Sequence, residues 1–387
     1  MKYRITYGGM MLGEAEKRAA NLVINKNYWP LGEEGKKMEA EAAKYLGVKY
    51  GVLANSGSSA GLLALSALEL SPGSEVIIPA TTFPTIFNII LQCGLVPVVV
   101  DSKICTYNLD VNDVADAITD KTGAIICVHA VGNPCDMEAI MSLVEGKDIY
   151  VIEDNCDGWG GNIGKRKVGS FGHVSFTSFH AAHIVSMGQG GGVFTNNERL
   201  ARNARMYRDW GRQADLVSRT NSKWENLPKD YDSRFIYEKI GFNISPLELQ
   251  AAIGRVQLKK TEKIKRLRRK NFDYLYKELS KHDHLIMPKW VEGADPSWFS
   301  FPLSVKGGRG ELVAFLEKKG IETRSMFSGN ILAHPAYANV PHRVSGNLIE
   351  ADFIMRNSFW ISCHPRLTQA DREYIVQVFD DYYAGTS

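Results

Sequence analysis

Seven short apolar runs, rich in β-branched residues and separated by amphipathic or turn-forming stretches, set the fold. They are YGVLANS (50 to 56), EVIIPA (75 to 80), VPVVVD (96 to 101), GAIICVHA (123 to 130), DIYVIEDN (148 to 155), HVSFTSF (173 to 179) and GGGVFTN (190 to 196). Runs that stay apolar, instead of alternating with polar residues, belong to strands buried on both faces, so the expectation is an α/β protein with a mostly parallel sheet covered by helices. From about 200 to 245 the chain turns polar and aromatic and its periodicity fades, which predicts a long functional excursion. One long helix from about Pro246 then leads into FSFPLSV and ELVAFLEKKG, a strand and a helix of a smaller α/β unit. The expected division is a large domain over residues 1–250, and the long helix with a small C-terminal α/β domain over 251–387.

Charge and composition narrow the function classes. The formal net charge is only +3 over 387 residues. The densest basic stretch, KKTEKIKRLRRK (259 to 270), has apolar residues at helical spacing and reads as a solvated helix face, so nucleic acid is not an expected partner. The first residues lack the apolar core of a signal peptide and no run of about 18 apolar residues occurs, so the expected location is cytoplasmic, away from the membrane. Six cysteines are scattered without CxxC pairs, which predicts reduced thiols and no metal site.

Four fragments carry candidate chemistry. In NSGSSAGLLALSAL (55 to 68) a strand gives way to a Gly-Ser turn and a helix, so free N–H groups of Gly57 and Ser58 converge on a spot suited to a phosphate; a plain capped helix reads equally well. Asp154 ends a strand, where open α/β sheets place their ligands. It could hold a protonated ring nitrogen or cap the next helix. Phe83 follows another strand end, where a ring could stack on a flat ligand or join the core. In SFHAAHIVSMGQGGG, Ser178 follows a strand, the glycines allow close backbone approach, and His183 lies between.

Together with GFNISPLELQAAIGRVQL and IETRSMFSGN, and over most of the chain, these fragments resemble the DegT/StrS family of sugar aminotransferases. Those are pyridoxal 5'-phosphate (PLP) enzymes of fold type I, with a mostly parallel seven-stranded sheet in the large domain and a smaller C-terminal domain. The resemblance implies that Gly57, Ser58 and Ser178 bind the cofactor phosphate, with Asn243 supplied by the other subunit of a homodimer. It implies that Asp154 holds the pyridine nitrogen, Phe83 stacks on the ring and Asp157 lies near the ring hydroxyl. His180 and His129 are read as neighbours of the site, with structural roles open for both. Arg212 in the excursion, and Arg324, Asn330 and His334 near the small domain, are candidates for the nucleotide-sugar substrate.

The family motif has a lysine where this chain has His183. An imidazole does not hold the cofactor covalently as lysine does, but with an ordinary pKa of about 6.5 it moves protons near neutral pH. A lysine-to-histidine subgroup is known within the family: the NDP-4-keto-6-deoxyhexose 3-dehydratases, which remove a sugar C3 hydroxyl. Similarity to them implies a cofactor working as pyridoxamine 5'-phosphate (PMP), His183 as acid and base, an NDP-4-keto-6-deoxyhexose as substrate and L-glutamate as the donor that restores PMP. One branch of the subgroup carries a [2Fe–2S] cluster on cysteines around the excursion. No cysteine lies between Cys156 and Cys363, so four thiolates cannot gather there, and the expectation is the cluster-free branch acting on GDP-4-keto-6-deoxy-D-mannose, with the nucleotide left open. A PLP-dependent ketosugar aminotransferase and a non-catalytic member lacking the lysine are the alternatives.

Overall fold

The computed structural model describes residues 3–213 and 224–385; part of the excursion, residues 214–223, lies outside the described residues. All seven apolar runs form strands of one sheet: β1 (Tyr50–Ala54), β2 (Glu75–Pro79), β3 (Val96–Val100), β4 (Thr122–Val128), β5 (Tyr150–Asp154), β6 (Val174–Ser178) and β7 (Gly191–Thr195). Their order is β1-β7-β6-β5-β4-β2-β3, with a two-residue strand, Arg343–Val344, added beside β3. From β6 through β3 the neighbours run parallel, and β7 runs antiparallel to both β6 and β1.

The unbroken apolar runs have the expected cause. Val76, Ile78, Ala124, Ile126 and Ile152 pack into one helical layer, while Ile77, Val98, Ile125 and Val151 pack into the layer opposite. Each fully buried aliphatic side chain contributes about 1.5–3 kcal/mol, so a polar residue at any of these alternating positions would lose a comparable amount.

A second sheet of four antiparallel strands, β8 (Leu285–Ile286), β9 (Phe301–Val305), β10 (Arg324–Ser325) and β11 (Ser358–Ile361), has the order β8-β9-β11-β10. Phe301, Leu303, Phe359 and Ile361 pack against Phe272, Leu275 and Leu279 of helix Thr261–Leu279 and against Ile375, Val378 and Phe379 of helix Gln369–Ala384. Two segments cross between these cores. The N-terminal stretch pairs Ile5 with Ile321, and Arg343–Val344 returns to the large sheet.

The single helix expected from Pro246 is two, Glu248–Leu258 and Thr261–Leu279. Gln257 and Lys260, flanking the break, both turn their side chains to Glu16, which is 1% exposed. A buried carboxylate needs such donors, and Thr261 seals the step by donating its hydroxyl to the Leu258 carbonyl at 2.7 Å. The excursion also starts later than its composition suggests, because Glu198–Arg208 is helical. Among the described residues no helix is long and apolar enough to cross a membrane.

Candidate active site

A cleft of about 780 Å³ opens at the C-terminal ends of the parallel strands, lined by residues of both sheets and of the N-terminal stretch. At one end β1 leads into helix Gly57–Ser66, whose N-cap Ser56 accepts from the Ser59 N–H at 3.1 Å. Gly57 lies directly against Ser178 at the end of β6: a Cβ on Gly57 would sit 2.5 Å from the Ser178 Cβ. The absent side chain lets the helix N-terminus and the Ser178 hydroxyl line one wall, together with Ser58, whose Oγ is 2.7 Å from Thr85 Oγ1. Oriented N–H groups, a helix dipole and hydroxyls are an anion cradle.

Asp154, 6% exposed at the end of β5, accepts from the Cys156 N–H at 3.0 Å. Burial raises its carboxyl from 3.8 to about 6, against the Cys156 hydrogen bonds, which lower it; the Asp157 charge adds to the rise. A cation placed on this carboxylate would relieve that cost. Beside it, His129 and Glu153 are fully buried and joined Nε2 to Oε2 at 3.0 Å. Since His129 Nδ1 accepts from the Cys135 N–H, Nε2 carries the proton and donates to Glu153. Glu153 also accepts from Gly169 and Gly172, both at 2.7 Å. Phe83 is 56% exposed, capping the helix that opens with Pro84, and its ring lines the cleft.

His183 sits in the turn between β6 and β7, its backbone N–H donating to the His180 carbonyl. Its Nδ1 lies 3.3 Å from Asp157 Oδ1, short of hydrogen-bond geometry, and its ring packs 5.2 Å from Phe299 at 38°. His180, 6.2 Å away ring to ring, accepts from the Ala182 N–H on Nδ1, and burial lowers its imidazole pKa. Behind the turn Arg268, 2% exposed, donates to the carbonyls of Phe299 and Ala182.

Eleven of the residues singled out from the sequence line this cleft: Gly57, Ser58, Phe83, His129, Asp154, Asp157, Ser178, His180, His183, Arg324 and His334. His334 is held by Nε2 to the Ser328 carbonyl at 2.8 Å. Three do not line it. Asn330 is buried, spending its amide on Asp352 and its carbonyl on the Leu332 N–H as the cap of a short helix. Arg212 bridges to Tyr237 and stacks 5.3 Å over Trp210, and Asn243 pairs with Asp209. Tyr7, Thr85, Phe299 and Trp360 line the cleft unannounced. The Gly8-Gly9 pair after Tyr7 is the one signal that could have found Tyr7: a Cβ on Gly8 would sit 3.4 Å from the Cβ of Ala182, next to His183.

An anion cradle, a buried carboxylate wanting a cation and an exposed aromatic face match the three parts of a phosphorylated pyridine ring, so the residues present fit PLP or PMP. The sequence comparisons agree with this geometry. The chain is 37% identical over 97% of its length to the lipopolysaccharide biosynthesis protein RfbH of Salmonella typhimurium, covering 91% of that protein. It is 34% identical to a GDP-4-keto-6-deoxy-D-mannose 3-dehydratase of Yersinia pseudotuberculosis, covering 91% of this chain and 92% of the other. Among solved structures, a GDP-4-keto-6-deoxymannose-3-dehydratase with a trapped PLP-glutamate geminal diamine superposes with a TM-score of 0.90 at 28% identity, covering 97% of this chain and 100% of that one. The model of the DegT/DnrJ/EryC1/StrS aminotransferase family matches residues 11–380, and this chain belongs to that family.

Proposed function

We propose that the protein is a PLP/PMP-dependent 3-dehydratase that removes the C3 hydroxyl of a nucleotide-activated 4-keto-6-deoxyhexose, with PMP restored by L-glutamate. The observation that carries this reading is His183, a histidine lining the cleft from the turn after β6, where the resemblance to the family leads one to expect a lysine. No lysine is present among the described residues that line the cleft. A group with no amine to offer keeps the cofactor noncovalent and leaves proton transfer as its chemistry.

In this reading Gly57, Ser58 and Ser178 bind the phosphate, Asp154 pairs with the ring nitrogen, and Phe83 stacks on the ring. When bound, the cofactor supplies an amine that can join the sugar ketone and a ring that draws electrons toward Asp154. His183 turns Nδ1 toward Asp157, which leaves Nε2 to take a proton and hand it to the departing hydroxyl. Phe299 at its back restricts the imidazole to that orientation. The cysteine distribution supports ammonia and a 3,6-dideoxy-4-ketosugar as products, with the two reducing equivalents coming from L-glutamate by way of the cofactor amine in place of a cluster.

Asn243 and Arg212 serve the site of a second copy in this reading. They lie outside their own cleft, in a segment that exposes Trp210, Phe235, Tyr237 and Ile240, the last 97% exposed. Sedimentation is expected to give a mass of two or more chains, and a monomer at working concentration would remove this part of the proposal.

The test is an absorbance spectrum of the protein with PLP, before and after L-glutamate, followed by NDP-4-keto-6-deoxyhexoses with ammonia monitored. Conversion of the aldehyde band to the amine band, then ammonia on adding the sugar, is the expected sequence. An aminosugar would support an aminotransferase instead, and no spectral change with PLP or PMP a non-catalytic member.

A further inference from the structure

The cleft as read has to accept two different anionic substrates in turn, a nucleotide sugar and an amino-acid donor. The phosphate cradle is occupied by the cofactor throughout, so each substrate anion needs its own receptor. Among the described residues lining the cleft, Arg324 is the one arginine or lysine. It stands on β10, on the wall formed by the second sheet.

The guanidinium of Arg324 is fixed before any substrate arrives. Nη2 donates to Glu322 Oε1 at 2.6 Å and Nη1 to the Thr323 carbonyl at 3.1 Å. Its Cζ sits 4.4 Å from the centre of the Tyr7 ring, and Tyr7 in turn meets Trp360 edge-on at 5.5 Å. Glu322 ties this arrangement to the N-terminal stretch by accepting the Tyr7 N–H at 3.0 Å. The Arg324 side chain keeps 43% of its surface exposed, against 10% for Glu322, so the pair shows its cationic side to the cleft.

Charge decides which anion suits it. Glu322 cancels the net charge of Arg324, so a doubly charged diphosphate would meet the Glu322 carboxylate as well as the arginine. A single carboxylate is matched by the forked N–H groups that remain, on a wall formed with the Tyr7 and Trp360 rings. We propose that Arg324, held by Glu322 and Tyr7, is the receptor for a carboxylate of the amine donor, and so sets the enzyme's choice of donor. The inference rests on the reading of an α-amino dicarboxylate such as L-glutamate as donor.

Arg324→Gln tests it through two readouts. The first needs no turnover: glutarate, which has both carboxylates and no amine, is titrated against the protein and followed by Trp fluorescence, Trp360 being beside the receptor. Binding is expected to weaken about 30-fold in the variant, the effect of losing a charged, forked hydrogen-bond partner. The second is the spectral conversion of PLP-loaded protein by L-glutamate, L-glutamine and L-isoglutamine. Wild type is expected to discriminate against one of the two monoamides by about 30-fold, and Arg324→Gln to erase that discrimination. The loss with L-glutamate should exceed any loss of ammonia release from the ketosugar by about tenfold or more.

Arg324→Lys, which keeps charge without the fork, should recover only part of the donor affinity. Loss falling mainly on the sugar half-reaction, or equal glutarate binding in wild type and variant, overturns the inference. The two readings fail separately. Arg324-dependent glutarate binding without spectral conversion would sink the dehydratase proposal and leave this receptor standing. Conversion unaffected by Arg324→Gln would do the reverse.

Discussion

His183→Asn is expected to lower ammonia release from the ketosugar by about 10³-fold, within the range of general acid–base catalysis, while cofactor affinity stays within a few fold of wild type. Asparagine keeps a hydrogen-bonding group of similar reach beside Asp157, 3.3 Å from the native Nδ1, but it neither takes nor gives a proton in the working pH range. Because Phe299 and the Arg268 anchor behind the turn stay in place, the fold should hold, and an unchanged thermal midpoint would show that it does. A variant with near-native ammonia release would remove His183 from the chemistry and shift attention to His180, the imidazole 6.2 Å away.

Asp154→Asn is expected to weaken PLP and PMP binding by about 10²- to 10³-fold, the usual cost of removing one partner from a buried ion pair. The same substitution has the opposite effect on the cofactor-free protein. Asp154 is 6% exposed and its folded carboxyl titrates at about 6, above the ordinary 3.8. A raised carboxyl favours folding where it is protonated, and that contribution is lost as pH climbs from about 4 to 6; at pH 7 the ionised group opposes folding by up to about 3 kcal/mol. Neutral asparagine escapes this cost, so the cofactor-free variant should melt at or above wild type at pH 7 while binding cofactor far less well. Titration with PLP and thermal melts of both proteins check the two halves. Unchanged affinity would mean that Asp154 does not pair with the ring nitrogen. The contrast is the mark of a residue kept for its ligand at the expense of the empty fold.

The large sheet was legible because its signal is local. Val96–Val100 is apolar throughout and Glu75–Pro79 is apolar after its first residue, and burial on both faces leaves no other use for such runs. That Gly57, Ser58, Ser178 and Asp154 line the cleft was legible for a related reason: each ends such a strand or follows closely on one, so its place in the cleft comes with the strand's. What stayed hidden depends on partners far away in the chain. Tyr7 reaches the cleft only because its neighbours are fixed by Gly320 to Glu322 and by Ser362 to His364, more than 300 residues on. Phe299 and Trp360 carry no local motif that would place them at the cleft. The break at Lys259–Lys260 answers to the buried Glu16, a demand invisible in the helix's own sequence. Asn330, polar and next to a glycine, looked like a substrate contact, yet its side chain is consumed in closing a short helix.

The most direct test of the central claim is the mass of the nucleotide sugar recovered after incubating the PMP-loaded protein with an NDP-4-keto-6-deoxyhexose. The account predicts a product lighter than its substrate by one oxygen, with its ketone intact and ammonia released in equal amount. A product in which the ketone has become an amine and every hydroxyl remains would contradict it.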